Sequence, residues 1–156
     1  MVVGILRDEV KVSGVWRFTW KESGQVVKIL EKPNLIVQSG LEALAAIIVD
    51  EIPQGNAIFL ALGTSTTAPA KTDTTLKAEG FRKILTDKSR FSNEIRFRFY
   101  LMTTEANGLW KEAGVFLAGT EIANSGWLLN RIIPSGNGIN KVSNQSLTVE
   151  IRVPLQ

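Results

Sequence analysis

The side chains with chemistry to offer in this sequence are carboxylates, guanidiniums and ammoniums. Glu79 and Arg82 stand three apart, close enough to pair on one helical turn, and Glu112 could meet Arg82 across the fold. The preferred reading is a structural ion pair of Glu79, Arg82 and Glu112 that pins a long loop to a sheet. The alternative is a set of solvated charges worth about 0–1 kcal/mol. A hydrolytic carboxylate pair of Glu79 with Glu112 is a weaker reading, because nothing in the sequence brings the two together. The chain has no cysteine and no histidine. Thiolate and imidazole nucleophiles, disulfides, the common zinc sites and an imidazole pH switch are therefore excluded. No catalytic activity, no metal and no cofactor are expected.

Two further clusters invite and then resist a chemical reading. Gly63-Thr64-Ser65-Thr66-Thr67 lacks the Gly-Lys-Ser/Thr ending of a phosphate loop. Asp73 with Glu79 fits no EF-hand spacing. Arg96 and Arg98 alternate with aromatic residues, as in some RNA-binding sheets, but there the rings are exposed. Here Phe97 and Phe99 are in phase with Ile95 and Leu101 and should point inward. A nucleic-acid partner is not expected: Lys and Arg exceed Asp and Glu by only 18 to 15, with no clustered basic face.

The elements that must position these residues are mostly strands. Val10 to Trp20 alternates apolar with polar residues, Lys21-Glu22-Ser23-Gly24 supplies a turn, and Gln25 to Leu30 returns, which predicts a hairpin. Ser39-Gly40-Leu41-Glu42 has capping-box spacing, with Leu41, Leu44, Ala45 and Ile48 on one helical face and Pro53 as a stop. One helix is predicted, over residues 40–50. Ala57 to Leu62 reads as a buried strand and Thr64 to Thr75 as a long polar loop of the kind that usually binds something. Residues 76–85 give no clear period. Ile95, Phe97, Phe99 and Leu101 alternate against Glu94, Arg96, Arg98 and Tyr100, and Leu109–Leu117, Trp127–Ile133 and Leu147–Val153 are further strands. Glu105-Ala106-Asn107-Gly108 and Pro134-Ser135-Gly136-Asn137-Gly138 carry turn chemistry. The fold class expected is mainly β with minor α: an antiparallel β-sandwich or partly closed barrel with one helix.

The order of features from Asn34 onward resembles the N-terminal collar domain of phage tail-fibre proteins and small baseplate or tail proteins of similar layout. The residues that carry the resemblance are Gly63, Pro69, Asp73, Leu76, Glu79, Arg82, Asn107, Gly108, Glu112, Gly114 and Phe116. It implies a virion structural protein of a tailed phage: a tail or baseplate adaptor that forms a homotrimer or higher ring and contacts other virion proteins. A capsid decoration protein is the alternative, ahead of a glycan-binding module. Family fibres continue into a shaft whereas this sequence stops at Gln156, so an attachment module rather than a receptor-binding tip is expected.

Two domains are expected on this reading, an N-terminal hairpin docking arm over residues 1–33 and a collar-like β domain over residues 34–156. Trp16, Phe18 and Trp20 on the arm, Thr66, Thr67 and Pro69 on the loop, and Arg96 and Arg98 on the sheet are the expected interface residues. Trp110 and Trp127 are further large anchors. The N-terminus runs into charge too early for a signal peptide. The apolar run from Leu41 to Val49 is about half of the roughly 20 residues a membrane span needs. The expected location is the virion, after synthesis in the host cytoplasm.

Overall fold

A computed structural model describes residues 13–52, 57–134 and 137–155. Val10 and Val12 of the predicted first strand, the predicted stop Pro53, and Ser135 and Gly136 of the last turn lie outside the described residues.

The protein is mainly β with one helix, as the alternation predicts. Strand β1 (Gly14–Glu22) turns through Ser23 and Gly24 into β2 (Gln25–Ile36), followed by helix α1 (Gln38–Ile48) and β3 (Phe59–Gly63). Next come β4 (Glu79–Ile84), β5 (Asp87–Phe91), β6 (Glu94–Leu101), β7 (Gly108–Trp110) and β8 (Glu112–Leu117). Strands β9 (Trp127–Ile132), β10 (Ile139–Lys141) and β11 (Gln145–Pro154) complete the chain. The main sheet is nine-stranded, in the order β4-β3-β8-β9-β2-β1-β11-β6-β5, and every pairing in it is antiparallel. It curls into a half-barrel, and β7 with β10 forms a small second sheet.

Two joints let one sheet curl around one core. The long β2 pairs with β1 over most of its length, and passes to β9 only at Leu35 and Ile36. At the other end β4 runs into β5 through Leu85 and Thr86. The Leu85 amide donates to Ile58 and the Thr86 amide to Arg98, so one short segment serves both halves. Residues that point inward form one continuous cluster, from Trp16, Phe18 and Trp20 through Phe97, Phe99 and Leu101 to Val115 and Leu129.

The hairpin is therefore not an appended arm. Strand β1 sits between β2 and β11, and Trp16, Phe18 and Trp20 are 0%, 0% and 1% exposed. Trp16 stacks on Phe18 at a centroid distance of 5.7 Å, Phe18 meets Trp20 at a tilt at 6.1 Å, and the Trp20 indole donates to the Asn140 carbonyl on β10. A lone hairpin is marginal in water. Here the same aromatic residues that would make it a docking arm are buried as the core of a single unit, so replacing Trp16 or Trp20 by serine would cost the fold itself.

Helix α1 begins two residues earlier than the sequence suggests and is not held by a capping box. Its N-cap is Val37, with no side-chain cap bond, and Ser39 donates across to the Leu128 carbonyl at 2.6 Å. Gly40, a weak point by propensity, is buried against β9: a Cβ there would overlap the Leu129 backbone. The face that packs is consequently Gly40, Ala43 and Ala46, small residues that permit close approach. The apolar stripe of Leu41 and Ile48 faces out, with Ile48 81% exposed.

Gly40→Ala should destabilise the protein by about 1–3 kcal/mol through overpacking, measured by denaturant unfolding. Helix propensity alone predicts the opposite sign, a gain of up to about 1 kcal/mol.

Candidate functional site: the clasped outer face of the sheet

Strands β3, β8 and β9 are buried along nearly their whole length on both faces. In β8, Ala113, Val115 and Leu117 join the barrel core, while Phe116 joins a second cluster with Val37, Ala61, Leu76 and Leu128. The outer face is thus covered by the chain itself, and two charged clasps hold the cover down.

The first clasp is built on Arg131 of β9, whose side chain is fully buried. Its Nε and Nη2 donate to one carboxylate oxygen of Glu112 at 2.8 and 2.7 Å, its Nη1 donates to Asp73 at 3.1 Å, and its Nη2 also donates to the Thr67 carbonyl at 2.8 Å. Glu112 in turn accepts from the backbone amides of Lys77 and Ala78 at 3.1 and 2.6 Å. Asp73 accepts from the Ala70 amide and pairs with Lys77 at 2.9 Å. One guanidinium thus reads the loop at Thr67 and Asp73 and, through Glu112, at residues 77 and 78. With the loop held, Leu76 drops onto Phe116 and Leu128. Gly114 is required below it, because a Cβ there would overlap Leu76 and the Asn130 carbonyl, and Gly63 leaves room for the Glu112 carboxylate.

The second clasp is Glu79 with Arg82, paired at 2.6 Å. The pair lies on a strand, not on a helical turn. A register shift opposite Leu62 and Gly63 inserts Gly80 as an extra residue, so positions three apart share a face. The Arg82 guanidinium lies 4.4 Å from the centroid of the Phe116 ring and donates to the Thr120 and Ser125 carbonyls and to the Ser125 hydroxyl. Glu79 accepts from the Asn124 amide at 2.7 Å. This clasp organises the loop between β8 and β9 and leaves Ile122 exposed near its tip. Glu112 belongs to the first clasp and pairs with Arg131, not with Arg82.

The remaining expected site residues lie elsewhere. Thr66 and Thr67 are exposed on the clasped loop, and Pro69 is half-buried there. Arg96 and Arg98 point outward from β6, where Arg96 pairs with Glu94 and Arg98 with Glu150 at 3.1 Å. Register places Glu31, Arg17, Glu150, Arg98 and Asp87 directly opposite one another across five neighbouring strands, so charge alternates along the row. Trp110 packs on Phe81 and donates to the Ala106 carbonyl, and Trp127 is 39% exposed. Sequence reasoning missed Arg131 and placed no importance on Asn130, whose side-chain oxygen accepts from the Val115 amide beside the β8–β9 bulge.

The chemistry available to this face is cohesion. Both oxygens of Glu112 accept from donors of the protein itself. Burial alone would push Asp73 up, but the Ala70 amide, the Lys77 ammonium and Arg131 together hold it below the ordinary aspartate value of 3.8. Glu150 is likewise pushed up by burial and pulled further down by Arg152 and Arg98. Bonds from Lys83 and the Met102 amide lower Glu105. Among the described residues no group of three or more acidic, histidine or cysteine side chains could hold a metal ion, and no helix is long and apolar enough to cross a membrane. Comparison with protein-family models, curated proteins and solved structures returned no match.

Two predictions follow from these ion pairs. Arg131→Met should cost about 3–5 kcal/mol by leaving buried carboxylates without their partner. The equivalent Arg17→Met, at an exposed pair with Glu31, should stay within about 1 kcal/mol. Urea denaturation of the two variants compares them directly. Because Asp73, Glu105 and Glu150 all have folded values below their unfolded ones, their stabilisation is complete above the ordinary carboxylate values of 3.8 to 4.5. It is lost as pH falls through the lower, folded values. The contribution of these three carboxylates to the melting temperature should therefore be constant between this range and neutral pH, and fall away below pH 3.8.

Proposed function

We propose that this protein is a non-enzymatic structural subunit of a tailed-phage-type particle, a tail or baseplate adaptor of the fibre-collar kind, that works by packing against copies of itself and neighbouring virion proteins. The observation that carries the proposal is the convergence of eight of the eleven residues behind the sequence resemblance. Gly63, Asp73, Leu76, Glu112 and Gly114 are scattered along the chain, yet they meet in the first clasp, and Glu79, Arg82 and Phe116 meet in the second. A shared pattern is explained if that face must be rigid, since each of these residues serves to lock a loop to the sheet.

The use of charge supports the same reading. Buried ionic groups hold loops, and in the outer row Arg17 pairs with Glu31 and Arg98 with Glu150. The surface also offers large apolar side chains to a partner: Ile48, Val49, Phe91 and Ile122 are 81%, 62%, 67% and 73% exposed on a rigid frame. An attachment module needs such a surface, fixed before assembly so that little ordering cost remains when subunits meet. The partners are then further copies in a homotrimer or higher ring and adjoining virion proteins, and the location is the virion after synthesis in the host cytoplasm.

Light scattering on the purified protein over a range of micromolar concentrations tests this reading. A mass of three or more copies is expected, and a monomer at every concentration would contradict self-assembly.

A further inference from the structure

The main sheet leaves one long edge without a partner. Strand β2 is bonded to β1 along one side, but on the other it meets β9 only at Leu35 and Ile36. From Gln25 to Asn34 that second edge has no backbone partner among the described residues. Apolar side chains lie open beside it: Val26, Val27 and Ile29 are 52%, 50% and 51% exposed. An unpaired edge of this kind is a template for another strand.

Charge decides which strand fits. The other free end of the five-strand run is β5. Following the register across the sheet, the outer row that ends at Glu31 on β2 ends at Asp87 on β5. The inner row that ends at Lys32 on β2 ends at Lys88 on β5. Joining the β5 edge of one copy to the β2 edge of the next in line with these rows would set acid on acid and base on base, and like charges directly opposite are destabilising. Pairing β2 with β2 of a second copy avoids this in one register. With Ile29 on the twofold axis, Lys28 lies opposite Leu30 of the copy and Val27 opposite Glu31. An axis at Lys28 would oppose two lysines, and an axis at Leu30 would oppose Lys28 with Lys32. The bulge at Val27, where Trp20 pairs with Lys28 and Lys21 with Val26, ends the regular edge on that side.

We infer that the β2 edge is a self-association site, at which two copies of this chain pair antiparallel about a twofold axis through Ile29 and join their sheets into one. The inference deepens the assembly reading and rests on it: added to a ring of three, a twofold contact doubles the ring to six.

A chain without cysteine allows a clean test. Residues facing each other across an antiparallel pair lie about 4.5–5.5 Å apart at Cα, a separation that suits a disulfide. In the full-length protein, Ile29→Cys should cross-link to a dimer under mild oxidation at least ~10-fold faster than Val15→Cys, because paired groups see effective concentrations in the millimolar range. Val15 is comparably exposed but sits on the interior strand β1. A mixture of Lys28→Cys and Leu30→Cys chains should give the mixed disulfide in preference to either homodimer. If Ile29→Cys links no faster than Val15→Cys, or stays monomeric because another part of the chain covers the edge, the inference is overturned. A ring mass without the cross-link removes the edge contact and leaves the assembly reading. A cross-linked species whose uncrosslinked parent never exceeds two copies does the reverse.

Discussion

Everything distinctive about this structure depends on one buried guanidinium. Arg131 enters the sheet with its side chain fully buried, and a bare charge there would be prohibitively costly. Its position forces the surroundings: an acid on the neighbouring strand, a second acid and a carbonyl from the loop, and amides to fill the remaining lone pairs of Glu112. Once those demands are met, the loop after β3 has one path. Buried ion pairs are weak sources of net stability; the role of this one is to select a single conformation for a segment whose sequence, rich in threonine and alanine, specifies almost none.

The same logic joins the fold to the proposed role. A curled antiparallel sheet with an aromatic core needs only its inner face buried. This protein also covers the outer face of β3, β8 and β9, with one clasp at the long loop and one at the loop after β8. What emerges is a rigid body whose buried charges are satisfied within it and whose exposed side chains include large apolar ones. Such a body is suited to being packed against, and the open β2 edge is where its own geometry most invites a neighbour.

The sequence was legible where a strand has one wet face. Strands β6 and β11 alternate cleanly because Arg96, Arg98 and Glu150 face out while Phe97, Phe99 and Val149 face in. The β1–β2 hairpin was equally plain, but its aromatic content pointed to an arm when it marks the centre of the core; alternation reveals a buried face without saying what buries it. Strands β4 and β5 were obscured because EGFRKI carries a bulge and DKSRF is exposed throughout. The helix was found but turned to the wrong face, since burial followed the small residues Gly40, Ala43 and Ala46 that allow contact with β9, against the larger Leu41 and Ile48. Of the candidate site, the idea of an ion pair pinning the loop was available from the residue types, but its centre was not. A signal did exist: EAGVFL and WLLNRI are apolar enough to be covered on both faces, so the lone acid of one and the lone base of the other have to find each other.

The claim that Arg131 and Glu112 lock the loop to the sheet is tested most directly by native-state hydrogen exchange at the amides of Lys77 and Ala78. Both donate to Glu112, so the account predicts that they exchange only when the whole protein unfolds, at the rate of core amides such as that of Val115. Exchange at the fast rate of an open surface loop would show that the clasp does not hold, and would contradict the account.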